Sequence, residues 1–172
     1  MCTLSRVIVF VSVLFSSMFL AQAQESISFS NPDISFEFKR CTSSGATAYI
    51  DFLVTNNSDS DINGDLLTGA EPCSGFEGYY TAAYDDEGNV YRCQDQNYKI
   101  AGIAIGGSAS LYGSGFRFDL PKGIPVKMRV TLTGLDQYAT KISLMKITFR
   151  DMKTPAVYGI ALLEARGLPI TR

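Results

Sequence analysis

The chain has 172 residues, with 15 lysine and arginine side chains against 17 aspartate and glutamate, and it lacks histidine and tryptophan. A slight acidic excess excludes the basic footprint of a nucleic-acid binder. The missing histidine removes the usual ligand of zinc and haem sites and the usual base beside a cysteine nucleophile.

Residues 1–23 read as a secretory signal. Arg6 is followed by the apolar run VIVFVSVLFSSMFL and by the small-x-small site Ala21-Gln22-Ala23. The run is short for a bilayer span of about 20 residues, and Gln24 rather than a cysteine follows the cut. The expectation is an exported protein, periplasmic or extracellular, with no membrane span after cleavage. Residues 24–172 would form one domain of 149 residues with a net charge of −3. That length can bury about 70% of its unfolded surface. Charge is divided along the chain, −10 over residues 24–98 and +7 over residues 99–172. Two halves interleaved in one fold are the simpler reading, and a dipolar molecule with distinct faces is the other.

Apolar residues recur at period two almost throughout, which predicts strands. Ile34, Phe36 and Phe38 share one face of ISFEFKR, and Ala46, Ala48, Ile50, Phe52 and Val54 share one face of the next run. CTSSG between them is a turn signal. The aromatic segment EGYYTAAYDDEGNVYR predicts a hairpin turning at DDEGN, where Gly88 or Asn89 takes a positive φ. A bulge is expected near Gly102, and Pro121 ends the run FRFDL. Val126, Met128, Val130 and Leu132 alternate with Lys127, Arg129 and Thr131 in the cleanest strand of the chain. Residues 139–150 predict a central or bulged strand, and Tyr158, Ile160 and Leu162 recur at period two in the last one. With no capped helical stripe, the fold class expected is an antiparallel immunoglobulin-like β-sandwich of roughly 7 to 9 strands.

Cys41, Cys73 and Cys93 survive signal removal, so one disulfide and one odd thiol is the simplest count. Cys73 with Cys93 is the favoured pair, because both flank the aromatic hairpin. A bridge closing about 20 residues stabilises a fold by about 3 kcal/mol. The alternative pairings use Cys41.

Asp59, Asp61, Asn63 and Gly64 occupy positions 1, 3, 5 and 6 of a calcium-loop pattern, but Ala70 stands where a bidentate acid belongs. The residues are read either as a polar turn or as a calcium site on Asp59, Asp61 and Asn63. Asp85, Asp86 and Glu87 form a second acidic group, at the hairpin tip. Ser143 and Lys146 have the spacing of serine acyl enzymes, but that spacing on a strand puts them on opposite faces. No catalytic residues are therefore expected. Tyr79, Tyr80, Tyr84 and Tyr91 crowd one segment and are the candidates for a recognition face, which tyrosine suits through large rigid area with a polar tip.

Three stretches carry a resemblance: IDFLVTNNSDSDI, YDDEGNVY and FRFDLPKGIPVKMRVTLTG. Across residues 34–150 the chain resembles a family of uncharacterised immunoglobulin-like domains secreted or lipid-anchored by bacteria. The resemblance implies an adhesion, binding or accessory module with no catalytic residues. This chain departs from it in its three cysteines and in residues 66–76. The function expected is a non-enzymatic module that binds a protein or glycan at the cell envelope, without a required cofactor. An assembly component pairing through an edge strand is the alternative, followed by a carboxylate-based glycan hydrolase.

Overall fold

The computed structural model describes residues 25–68, 81–92, 96–100, 103–105, 114–151 and 159–172. Within them the chain is all-β, without helix. Its strands are β1 (Ser26–Phe29), β2 (Ile34–Ser44), β3 (Thr47–Asn56), β4 (Ile62–Thr68), β5 (Ala82–Asp85) and β6 (Val90–Arg92). They continue as β7 (Gln96–Ile100), β8 (Ile103–Ile105), β9 (Ser114–Leu120), β10 (Val126–Thr133), β11 (Lys141–Asp151) and β12 (Gly159–Thr171).

The strands join in the order β6-β5-β11-β12-β2-β3-β10-β7-β8, a mixed sheet nearly closed into a barrel. β4 and β5 share one edge of β11 end to end, β4 also pairs with β9, and β1 pairs with β12. Two sequence expectations are corrected here. Among the described residues twelve strands form rather than 7 to 9, and the sheet is not wholly antiparallel, because the end of β12 runs parallel to β2 through Ile170↔Cys41 and Thr171↔Thr42.

The parallel contact follows from how β12 is used. One edge of β12 pairs with β11 over nearly its full length, from Asp151↔Gly159 to Lys141↔Pro169. The other edge serves β1 at Leu163 through Arg166 and then β2 at Ile170 and Thr171. Between these partners lies Gly167, at φ 67°, while the register against β11 runs on unbroken. A glycine at positive φ departs from extended backbone without the strain a side chain would bring, and past it β12 reaches β2. β2 carries a register shift against β3 between Phe38 and Arg40.

Alternation fills the interior. Ile50 and Phe52 of β3, Met128, Val130 and Leu132 of β10, Ile142, Met145 and Ile147 of β11, and Leu163 and Leu168 of β12 are all fully buried. At the end where β1 lies, Phe29 packs on Phe36 at 4.8 Å and on Phe149 at 5.5 Å, and Phe118 meets Phe149 at 5.7 Å. At the far seam, buried Gln96 of β7 donates to the Tyr91 carbonyl of β6 at 2.6 Å and accepts from the Tyr98 hydroxyl. A side chain there does the work of a missing ladder bond.

Several expectations shift in detail. The first turn is at Gly45, φ 55°, because β2 runs on through Ser44. Gly88 takes the positive φ expected in the hairpin turn. The inward face of β12 carries Leu163 and Ala165, the opposite parity to Ile160 and Leu162. The signal segment, Cys73, Cys93 and Gly102 lie outside the described residues.

Asn56, 0% exposed, ends β3 and fixes the turn after it. Its amide donates to the carbonyls of Ser60 and Leu120 at 2.8 and 2.9 Å, and its oxygen accepts from the Ser58 N–H at 2.9 Å and hydroxyl at 2.7 Å. Asn56→Ala should therefore lower stability by about 2–3 kcal/mol, because buried partners are left unpaired. Urea titration checks this, and a loss under about 0.5 kcal/mol would show that the hub is dispensable.

Candidate functional site

The structure spreads the sequence-nominated residues rather than gathering them. Tyr79 and Tyr80 lie outside the described residues. Tyr84 is half-buried on β5, between Leu144 of β11 and Val90 of β6. Tyr91 is 4% exposed, which takes it out of any contact face. Its hydroxyl donates to Asp85 at 2.6 Å and accepts from the Asp136 N–H at 3.2 Å. Burial and the Asp85 carboxylate together push it up to about 12.

The hairpin acids are fold-builders. Asp85 accepts from the N–H groups of Glu87 and Asn89 and from the Asn89 amide, at 3.0, 2.8 and 2.9 Å. Burial raises its carboxyl, yet these bonds and that from Tyr91 outweigh it and hold the group below its ordinary range. Asp86 accepts from the Thr140 N–H at 2.9 Å, from the Thr140 hydroxyl and from the Lys141 N–H, which ties the hairpin tip to the start of β11.

Two of the three residues of the calcium reading are engaged by Lys122. Asp61 accepts the Lys122 N–H at 2.9 Å, and Asp59 pairs with the Lys122 ammonium at 3.2 Å. Asn63 lies in β4 opposite Asp119, not in the loop, because the strand resumes at Ile62. Among the described residues no group of three or more cysteine, aspartate or glutamate side chains is placed to hold a metal ion. The segment is a polar turn clasping the link between β9 and β10.

Cys41 has a free thiol, 1% exposed, so the pairings that use it do not form. Burial, helped by the charge of Asp51, pushes it up to about 12.

A different cluster emerges on the outer face of β2, β3, β10 and β7. Asp51 points outward from β3, yet its side chain is only 3% exposed, because cations cover it. Arg129 forks onto it, Nε to Oδ1 at 2.6 Å and a terminal nitrogen to Oδ2 at 2.8 Å. Arg40 Nε lies 2.9 Å and Lys127 Nζ 3.3 Å from Oδ2. The Arg129 hydrogen bond leads in holding the Asp51 carboxyl well below the usual range, against the cost of burial, with Arg40 and Lys127 adding to it. Arg129 also lies 5.6 Å over the Tyr49 ring. Its own neighbour in register on β7 is Lys99. Arg40 reaches this face because of the shift after Phe38, which sets it opposite Asp51.

Alternation in the sequence already separates Lys127 and Arg129 from the core face of β10, and Asp51 from that of β3. What it lacks is the register that brings the two strands together and the bulge that adds Arg40.

No protein-family model matches the chain, and no curated protein matches it. A solved structure described as the N-terminal domain of PorA aligns over 86% of this chain and 94% of that one, at 13% identity and a TM-score of 0.34. Nothing is inferred from so low a likeness.

Asp51→Asn should cost about 2 kcal/mol, since charge-assisted bonds are lost while the partly exposed cations regain some hydration. The lowered carboxyl sets the sign of the pH effect. Its contribution is complete above the unfolded value of about 3.9 and disappears as pH falls through the lower folded value. Denaturation midpoints between pH 7 and 2 should therefore fall less steeply below about pH 4 in the variant than in the parent. Parallel curves would remove Asp51 from the acid response.

Proposed function

We propose that this chain is an exported, non-enzymatic binding module that holds an anionic glycan of the cell envelope on the outer face of β2, β3, β10 and β7. The observation that carries the reading is the surplus charge above Asp51. Arg40, Lys127, Arg129 and Lys99 project there against one carboxylate, while Glu37 and Lys39 pair with each other. Arg129 and Lys99 stand directly opposite, and like charges so placed destabilise a sheet. An anion laid across them relieves that repulsion. Asp51 meanwhile fixes the guanidinium planes before binding, which reduces the ordering cost.

Export is supported by the signal-like residues 1–23. The non-enzymatic part is supported by the state of the acids. A general acid needs a raised carboxyl, whereas Asp51, Asp85 and Asp86 are all lowered and committed to hydrogen bonds.

The finer reading of the fold as immunoglobulin-like is supported by strand order. β2-β3-β10-β7 corresponds to A-B-E-D of such a domain, and β12-β11-β4 to G-F-C. In this reading the parallel contact of β2 with β12 joins the first strand to the last, and β5 extends the C position along β11.

Heparin, which carries sulfate and carboxylate groups, serves as the probe in titration calorimetry of residues 24–172. Binding is expected to weaken as salt rises, and Lys99→Ala with Lys127→Ala should weaken it by about 10-fold or more. An unchanged affinity in the double variant, or no binding at low salt, would overturn the reading.

A further inference from the structure

The strand seat on β12 offers an inference independent of the basic face. We infer that this seat is an acceptor site that β1 fills within its own chain and that β1 of a second copy fills by strand exchange.

β12 presents a single edge to two partners in series. β2 takes only the last part, at Ile170 and Thr171, and below that point the two strands are not paired. β1 occupies the opening. It forms a ladder with β12 from Phe29↔Leu163 to Ser26↔Arg166, and among the described residues β12 is the one strand it pairs with. Recognition is by alternate side chains. Ile27 and Phe29 pack against the core, with Phe29 set against Phe36 and Phe149, while Ser26 and Ser28 are exposed. Main-chain bonds plus alternate side-chain pockets are the ingredients of recognition by strand addition.

The occupant follows from identity. Every contact that β1 makes with its own chain is available to β1 of another copy, so closed and exchanged forms differ only in the connector and in concentration. That connector is short. Residues 30–33 reverse the chain between β1 and β2, held by the Ile34 N–H to the Asn31 carbonyl at 3.3 Å and the Asp33 N–H to the Asn31 side chain at 2.9 Å. Pro32 sits within the reversal and Asp33 beside β2, both exposed. Opening these two bonds lets β1 continue the line of β2 outward, toward a neighbouring β12. Reciprocal exchange closes a two-fold dimer and leaves no unpaired seat.

The experiment uses residues 24–172 throughout. Ser28 of β1 faces Glu164 of β12 across the ladder, within the Cα separation a disulfide accepts. One sample carries Ser28→Cys and another Glu164→Cys. They are mixed at high concentration, held under mildly destabilising conditions, returned to native conditions and oxidised. Neither chain holds both thiols, so a covalent heterodimer between the new cysteines requires β1 of one chain in the seat of the other. Ser28→Cys mixed with Thr133→Cys, a position on β10, measures random cross-linking by the new and native cysteines. The expected result is at least a fivefold excess of heterodimer over that control, rising with concentration. A third variant with both Ser28→Cys and Glu164→Cys in one chain, oxidised when dilute, should form an internal bond and remain monomeric, which shows that the substitutions leave the seat intact. Heterodimer at the control level while this internal bond forms would overturn the inference. Failure of the internal bond would overturn it too, because the pairing of β1 with β12 would then be wrong.

Discussion

One edge of one strand governs this molecule. β12 is occupied on its β11 side along nearly its whole length, so everything that joins the two halves of the barrel on this flank competes for the remaining edge. The competition is resolved in series, β1 first and β2 after Gly167. Gly167, at positive φ, lies between these two partners, and β2 carries a register shift of its own against β3 after Phe38. The aromatic cluster of Phe29, Phe36 and Phe149 then packs where the two halves diverge. The same shift delivers Arg40 to the outer face, so the covalent geometry of a seam and the charge pattern of a surface share an origin.

Charge is likewise organised by pairing across sequence. The acidic first half and basic second half do not form separate poles among the described contacts. Asp51 meets Arg129 and Lys127, Asp59 meets Lys122, and Asp86 binds the start of β11. These contacts are of different kinds. The Lys122 to Asp59 pair is highly exposed and adds little, whereas Asp51 is shielded by the cations it binds and keeps them in fixed geometry. Asp85 and Asp86 use their oxygens to satisfy backbone donors, a role in which a carboxylate replaces a stretch of secondary structure.

The fold was legible wherever one face of a strand is buried and the other wet. β3 and β10 fit their alternation, with inward Ile50, Phe52, Met128 and Val130 all buried. Legibility ended where the pattern is set by partners far off in sequence. β1 is short, and its two serines say nothing of the seat it fills. β4 begins inside what reads as an acidic loop, because Asp61 and Asn56 are engaged by groups more than 60 residues away. β12 continues through Gly167 and Pro169, residues that read as breakers until the partners on its two edges are known. The candidate site was legible only in part. Tyr91 has the composition of a contact residue and the environment of a core one, and the difference lies in Asp85 and Asp136, which sequence spacing cannot bring to its hydroxyl.

Cys41 sits at the parallel contact between β2 and β12, enclosed on all sides. With burial pushing its ionisation up to about 12, the group stays a thiol at neutral pH. Thiolate is the species that attacks disulfides and captures soft metals. Closing the seam therefore silences this cysteine chemically.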